Sequence, residues 1–358
     1  MRHIMFYEAI DILKGMIARP SFSRDEKEVA DYLQDVWRRD GRPVYRKGNN
    51  LWIIAPGFDI RKPTLLLNSH IDTVKPAEGW TKDPFTPEED EEWLYGLGSN
   101  DAGASVVSLY AAYQALSQKE QPYNLLFLAS CEEEISGKNG IESALRELPP
   151  ISFAIVGEPT DMQPAVAEKG LMVLDCTVIG KAGHAARDEG VNAIALAIKD
   201  IEWFNTYQFP QKSDFLGPVK MSVTLIHGGT QHNVIPDRCE FTVDIRSNEF
   251  YPNETLFELI REQVQCEVKA RSFRLNSTQT GLQHPFVQRA ILLGKKPFGS
   301  PTLSDQALMH FPSVKIGPGH SSRSHSADES IKPAEIREAI DTYIRLLDNL
   351  VINESPLC

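Results

Sequence analysis

Three short apolar runs end in acids or histidine: TLLLNSHID at Thr64–Asp72, NLLFLASCEEE at Asn124–Glu134, and FAIVGEP at Phe153–Pro159. Runs this short, rich in β-formers and closed by polar residues, read as buried strands rather than helices. The stretch from Gly103 to Ser117 is rich in Ala, Val and Leu and reads as a helix between two of them. Strands alternating with helices predict an α/β fold, and open α/β sheets place ligands at the C-terminal ends of their strands. The chemistry-bearing residues therefore collect at one edge of one sheet.

From about Leu171 the pattern changes. LMVLDCTVIG and VKMSVTLIHGG are long β-like runs, and RCEFTVDIR alternates with period two, as in a half-exposed sheet. Helical segments lie between them, near Val191–Phe204 and Thr255–Cys266. The order β-α-β-β-α-β fits a ferredoxin-like α+β insert from about residue 170 to 280. Mixed α/β texture then returns, with a strand at Val314–Ile316 and a closing helix from Pro333, where proline suits the first turn. Ser23-Arg24-Asp25-Glu26 reads as a capping box that opens a helix through about Arg39. A chain of 358 residues exceeds one ordinary core, so two domains are expected: 1–169 with 281–358, and 170–280.

A net charge of −12 disfavours phosphate backbones, so no nucleic-acid partner is expected. No run reaches the roughly 18 apolar residues of a membrane span. Five scattered cysteines without a CxxC argue against a disulfide framework or a thiolate zinc site. With no signal-peptide pattern at MRHIMFYEAI, a cytoplasmic protein is expected.

Five motifs carry possible chemistry. In Ser69-His70-Ile71-Asp72, residues two apart share a strand face, so Asp72 can orient the His70 ring as a metal ligand; a solvated strand end is the ordinary alternative. In Gly96-Leu97-Gly98-Ser99-Asn100-Asp101, the glycines suit a tight turn presenting a carboxylate, although Asp101 would equally cap the next helix. Glu132-Glu133-Glu134 sets three carboxylates side by side, which solvent, bases or metal ions must offset. Glu158 follows a strand and precedes Pro159; it is a ligand or a loop acid. In Ser324-His325-Ser326-Ala327-Asp328-Glu329, the histidine is a ligand candidate, and the acids also suit a helix N-terminus. Together, two histidines and several carboxylates suit Zn2+, with Mn2+ or Co2+ as substitutes.

The ordered set His70-Ile71-Asp72, Gly98–Asp101, Glu132–Glu134, Gly157-Glu158-Pro159 and Ser324-His325 resembles the dinuclear zinc deacylases and exopeptidases. That group includes acetylornithine deacetylase, succinyl-diaminopimelate desuccinylase, aminoacylase and carboxypeptidase G-type enzymes. Gly183-His184 and the run Gly228–Pro236, GGTQHNVIP, extend the match into the insert. The resemblance implies a mixed-sheet, zinc-exopeptidase-like catalytic domain whose insert serves as a lid and homodimer interface. It implies two zinc ions, one held by His70, Asp101 and Glu158, the other by Asp101, Glu134 and His325, with Asp101 bridging. Asp72 would orient His70, and Glu133 would be the general base. His184 and Asn233 would contact substrate, His184 reaching the partner subunit's site, and Arg246 would hold a carboxylate. The family's GRGxxDxKG pattern is altered here, its Arg and Lys being absent, and Glu132 stands where Asp is commoner. His325 is preferred to His320 because SHSADE fits the family's H-x-x-D-E pattern.

The chain length and GGTQHNVIPDRC look most like the acetylornithine deacetylases. The implied reaction is amide hydrolysis of N2-acetyl- or N2-succinyl-L-ornithine to L-ornithine, in arginine biosynthesis. A succinyl group would need a cation, for which Arg323 or Lys181 is available. N-succinyl-diaminopimelate, N-acyl-lysine and dipeptide hydrolysis are the alternatives.

Overall fold

The computed structural model describes residues 2–187 and 189–352. It forms two compact units: Met1–Val166 with Thr280–Phe298 and Ser304–Cys358, and Ala167–Gln279 with Gly299–Leu303. The sequence reading assigned 281–358 to the catalytic domain as one block, whereas the short segment Gly299–Leu303 lies with the second unit.

The first unit is built on a mixed sheet. Its strands run in the order Tyr45–Lys47, Asn50–Ile54, Asn124–Ser130, Thr64–His70, Phe153–Val156, Ser313–Lys315 and Ala165–Glu168. The four from Asn124–Ser130 to Ser313–Lys315 are mutually parallel, and the flanking pairings are antiparallel. Every residue of Thr64–His70 and Asn124–Ser130 is buried, as expected of parallel strands covered on both faces. Parallel pairing brings the C-terminal ends of all four to one edge, so His70, Cys131, Gly157 and Ile316 begin the loops there.

Helix Ala104–Leu116 is buried on nearly every side, and it packs against the two central strands and helices Arg2–Ile17 and Pro333–Leu347. Trp37, from helix Lys27–Arg39, stacks on Tyr110 at 5.5 Å and meets Phe127 edge-on at 5.3 Å. The first helix, Arg2–Ile17, buries one face through Met5, Phe6, Ala9, Ile10, Ile12, Leu13, Met16 and Ile17, while Ile4 and Tyr7 add apolar residues to its exposed side and blur the pattern. The expected capping box is absent. The second helix starts at Lys27 without a side-chain cap, and the Ser23 hydroxyl donates to Asp72 instead, at 2.7 Å.

The second unit has the β-α-β-β-α-β order. Its sheet runs Lys220–Gly228, Arg238–Arg246, Met172–Ile179, Glu267–Ala270, with every neighbour antiparallel. Alternate residues of Met172–Ile179 point into a core shared with Phe204, Phe241, Val243, Leu256 and Ile260. Helix Ala193–Thr206 is capped by the Asn192 side chain, which accepts from the N–H groups of Ile194 and Ala195. This is the ferredoxin-like insert expected. Cys131, Cys176, Cys239 and Cys266 are free thiols. Among the described residues, no helix is long and apolar enough to cross a membrane.

Gly157 shows how tightly the strand ends are packed. A β-carbon there would lie 2.7 Å from Leu109 Cδ1, 2.8 Å from Ser105 Cβ and 3.1 Å from Ser69 Cβ. Gly157→Ala is expected to destabilise the first unit by about 1–3 kcal/mol through overpacking. Chemical denaturation followed by tryptophan fluorescence checks this; a midpoint equal to the parent's would show that the helix and strand yield freely.

Candidate metal centre

His70 closes its strand, and its ring Nδ1 lies 2.9 Å from the main-chain carbonyl of Asp72. The Asp72 carboxylate, expected to orient the ring directly, is farther away, 3.5 Å from Nδ1. Its oxygens serve other donors. Oδ1 accepts from Glu133 N–H at 3.0 Å, and Oδ2 accepts from Glu134 N–H at 3.1 Å and from the Ser23 hydroxyl. Asp72 thus orients His70 mainly through its backbone and holds the glutamate loop with its side chain.

A carbonyl only accepts, so His70 Nδ1 carries a proton, and Nε2 is the position that presents a lone pair once its own proton is lost. Nε2 faces Asp101 Oδ1 at 3.2 Å and Glu158 Oε1 at 3.8 Å. Glu158 Oε1 is buried and receives no hydrogen bond from any described residue. Three acceptors aimed at one point require a positive charge between them, a proton or a metal ion. His325 Nε2 repeats the arrangement, 3.0 Å from Glu134 Oε2 and 3.7 Å from Asp101 Oδ2. The ligand atoms of His70, Asp101 and Glu158 gather within 4.8 Å, as do those of Asp101, Glu134 and His325, and Asp101 belongs to both groups. The donor set is nitrogen and oxygen in two adjoining pockets, which fits a pair of divalent ions.

The electrostatics record the crowding. Burial opposes charging His70, but Asp101 and Asp72 outweigh it and lift the ring well above the ordinary histidine value. Burial raises Glu158 to about 8. Glu133 is raised well above the usual carboxylate range by burial and then by the Glu158 charge. The hydrogen bond to Glu134 holds His325 up to about 9.

Backbone geometry separates the three consecutive glutamates. Glu132 is left-handed (φ 55°) and precedes a single 3-10 turn, Glu133–Ile135. Its carboxylate is buried and accepts from Asn139 Nδ2 at 3.0 Å, so Glu132 shapes the loop. Asp101 does not cap the following helix. It is extended (φ −122°, ψ 96°), and its carboxylate faces His70 and His325. Gly98, at φ 74°, occupies the left-handed region that favours glycine. Its N–H and those of Asn100 and Asp101 all donate to the buried carboxylate of Glu329. Asp328 accepts from Thr81 and Lys82. Neither acid caps the last helix; there the Glu335 side chain accepts from Lys332 N–H. Asn100 ties its loop to the histidine segment through His320 and Ser324. His320 Nδ1 serves a local turn by accepting from Ser322 N–H.

The remaining candidates divide. His184 and Asn233 are exposed neighbours in the second unit, where Ala185 N–H donates to the Asn233 carbonyl. Arg246 pairs with Asp244 through two nitrogens, at 2.8 and 3.1 Å. Arg323 likewise grips both oxygens of Glu335, at 2.9 and 2.7 Å. Neither guanidinium is an unengaged cation. The sequence reading missed Ser23 as a partner of Asp72, Glu329 as the anchor of the Asp101 loop, and Asp305. The first two lay inside motifs read as helix caps, so their signal was present but assigned to local structure.

A family model described as peptidase family M20/M25/M40 matches residues 66–349. An acetylornithine deacetylase of Proteus mirabilis is 31% identical over 313 residues, 81% of this chain and 80% of that protein. The crystal structure of aminopeptidase PepT from Bacillus cereus aligns with a TM-score of 0.79 and 18% identity, covering 96% of this chain and 98% of that one. A dinuclear metal-binding M20 peptidase from Bacillus subtilis aligns with a TM-score of 0.75 and 18% identity, again over 96% and 98%.

Metal ligands must shed their protons, so ion uptake here should be linked to pH. At pH 7, His325 (about 9) and Glu158 (about 8) hold protons in the ion-stripped protein. Binding of Zn2+ is therefore expected to release protons at pH 7, with apparent affinity rising toward pH 9. Calorimetry in buffers of differing ionisation enthalpy measures the release; uptake without proton release would contradict the assignment.

Proposed function

The chain belongs to peptidase family M20/M25/M40, whose members hydrolyse amide bonds, and from that premise we propose that it removes the acyl group from an N-acyl amino acid. We take the substrate to be N2-acetyl- or N2-succinyl-L-ornithine, cleaved to L-ornithine and acetate or succinate, a step of arginine biosynthesis. The observation that carries the chemistry is Asp101 shared between two ligand groups, with Glu133 beside them. The likeness to an acetylornithine deacetylase over four-fifths of both chains supports the substrate.

In this reading His70, Asp101 and Glu158 hold one Zn2+, and Asp101, Glu134 and His325 hold the second, with Co2+ or Mn2+ as substitutes. Ions bound there supply Lewis acidity, activating water and polarising the amide carbonyl. Glu133 is the base. It takes a proton from water as the oxygen adds to the carbonyl carbon, and delivers that proton to nitrogen as the C–N bond breaks. Burial suits it to this task, since a raised proton affinity lets one carboxylate both accept and donate near neutral pH. The adjacent carboxylates divide the work: Glu134 lies against His325, Glu132 is fixed by Asn139, and Glu133 is left for the proton. His184 and Asn233 would contact the substrate, His184 by stabilising the developing oxyanion, while Arg246 and Arg323 could reach a carboxylate only by exchanging their present partners.

Homodimerisation through the second unit belongs to the same proposal. Lys220–Gly228 is an edge strand of its sheet, and Leu225 and Ile226 on it are about half exposed. An apolar edge strand is a surface proteins ordinarily cover. Light scattering is expected to give twice the chain mass, and Leu225→Glu with Ile226→Glu to give a monomer. A monomeric parent protein would refute this part.

Glu133→Gln is expected to retain its ions and lose turnover by about 10^2–10^4-fold. Near-normal turnover with both ions bound would remove Glu133 from the role. A panel of N-acetyl-ornithine, N-succinyl-ornithine, N-succinyl-diaminopimelate, N-acetyl-lysine and a dipeptide should give its highest kcat/KM with an N-acyl-ornithine. Preference for the dipeptide would instead make the protein a peptidase.

A further inference from the structure

Asp305 is an acid that the chemistry above does not use. It opens a 3-10 turn, Asp305–Leu308, and is only 3% exposed. Its Oδ2 accepts from Asn68 Nδ2 at 2.8 Å and from the Ser130 hydroxyl at 2.6 Å. Both donors are neutral, so among the described residues the burial of this charge is offset by two hydrogen bonds and the more distant His70 rather than by a contacting cation. Burying a charge without a paired cation is costly, and a neutral amide could accept from the same two donors, so stability alone does not call for a carboxylate here.

Its position suggests what does. Asn68 and His70 are two apart on one strand and share a face. Ser130 stands opposite His70 in the parallel register. Asn68, His70 and Ser130 thus lie on one face of the sheet, and the carboxylate joins the residue two before His70 to the residue paired opposite it. Burial raises the carboxyl to about 6, while the hydrogen bonds from Ser130 and Asn68 and the neighbouring His70 favour its charged form.

We propose that Asp305 is a positioning residue of the metal centre, a buried anion fixed near His70 whose charge helps hold a cation there. A divalent ion held by His70, Asp101 and Glu158 would have those two carboxylates as ligands, and the charge of Asp305 would add to the negative field around it. In that low-dielectric setting the charge is screened less than a surface acid's would be. The inference rests on the metal-centre reading above.

Asp305→Asn tests it, because the amide oxygen can still accept from Asn68 and Ser130 while the charge is gone. Zn2+ affinity of the intact, ion-stripped protein, measured by chelator competition, is expected to fall about 10–100-fold. The melting temperature of the ion-stripped variant is expected to hold or rise, since a buried charge has been removed. Unchanged affinity would overturn the inference. So would a loss of affinity matched by a loss of ion-stripped stability, which would make Asp305 merely structural. Should the amide variant not fold, Asn68→Ala in the parent serves instead: it removes a donor to Asp305 and keeps the charge, so Zn2+ affinity is expected to stay within a few-fold of the parent's, and a loss as large as about 10-fold would overturn the inference. Parent protein and Asp101→Ala run alongside as controls. A parent that binds no ions sinks the metal-centre reading and this inference with it, whereas a parent and an Asp305→Asn variant of equal affinity sink this inference alone.

Discussion

The carboxylate of Asp72 is the point on which the geometry of the centre depends. It is fully buried, and it accepts from the Ser23 hydroxyl and from two consecutive backbone N–H groups, those of Glu133 and Glu134. The carbonyl of the same residue fixes the His70 ring. One residue therefore sets the ring of a candidate ligand and the start of the turn carrying both the candidate base and another candidate ligand. The three segments involved come from different parts of the chain, and the parallel strands ending at Ser130 and His70 bring two of them together. Charge-assisted bonds from N–H groups are among the stronger hydrogen bonds available, which suits a residue that must hold a loop against the mutual repulsion of its own carboxylates.

That repulsion is the second constraint. Asp101, Glu133, Glu134 and Glu158 face one another with His70 and His325 among them and Lys315 acting on Glu158. The surrounding structure shows how such a set is tolerated. Glu329 is one more acid close to Asp101 and His325, yet its carboxylate is taken up by three N–H groups, so it builds the loop. Glu132 is turned away by its left-handed backbone and tied to Asn139. What is left facing inward is short of positive charge, as a site designed around cations must be when its ions are counted apart.

Much of the fold was legible because burial writes a plain pattern. The strands Thr64–His70 and Asn124–Ser130 are continuous apolar runs, and the insert's period-two alternation in RCEFTVDIR marks a sheet covered on one side. The opening helix was less legible, because the exposed apolar residues Ile4 and Tyr7 blur the contrast between its two faces. At the site, residues sitting at strand ends were readable, since the strand itself announces them. Ser23, Glu329 and Asp305 were not. Each acts on a segment far away in the chain: Ser23 on Asp72, Glu329 on the Asp101 loop, Asp305 on Asn68 and Ser130. Local rules claim such residues first, as a helix cap or a helix-terminal charge, and only the tertiary fold reveals the distant partner.

The same distinction bears on the acyl group. Arg246 and Arg323 were picked from the sequence as cations for a carboxylate, and in the fold each is held by two nitrogens on an acid of its own, Asp244 and Glu335. Arg323 also lies over the Trp93 ring at 5.2 Å, with Lys332 over that ring at 4.6 Å, so its place is built from several contacts. A bidentate guanidinium–carboxylate pair surrenders its geometry only to an equally good partner. A succinyl carboxylate recruiting either arginine must therefore displace an acid that is already optimally placed and covalently tethered nearby. An acetyl group demands no such exchange. If the proposed N-acyl substrate had to draw on these two residues, a neutral acyl group would ask nothing of either pair, whereas a charged one would draw its cation from elsewhere or by breaking a pair.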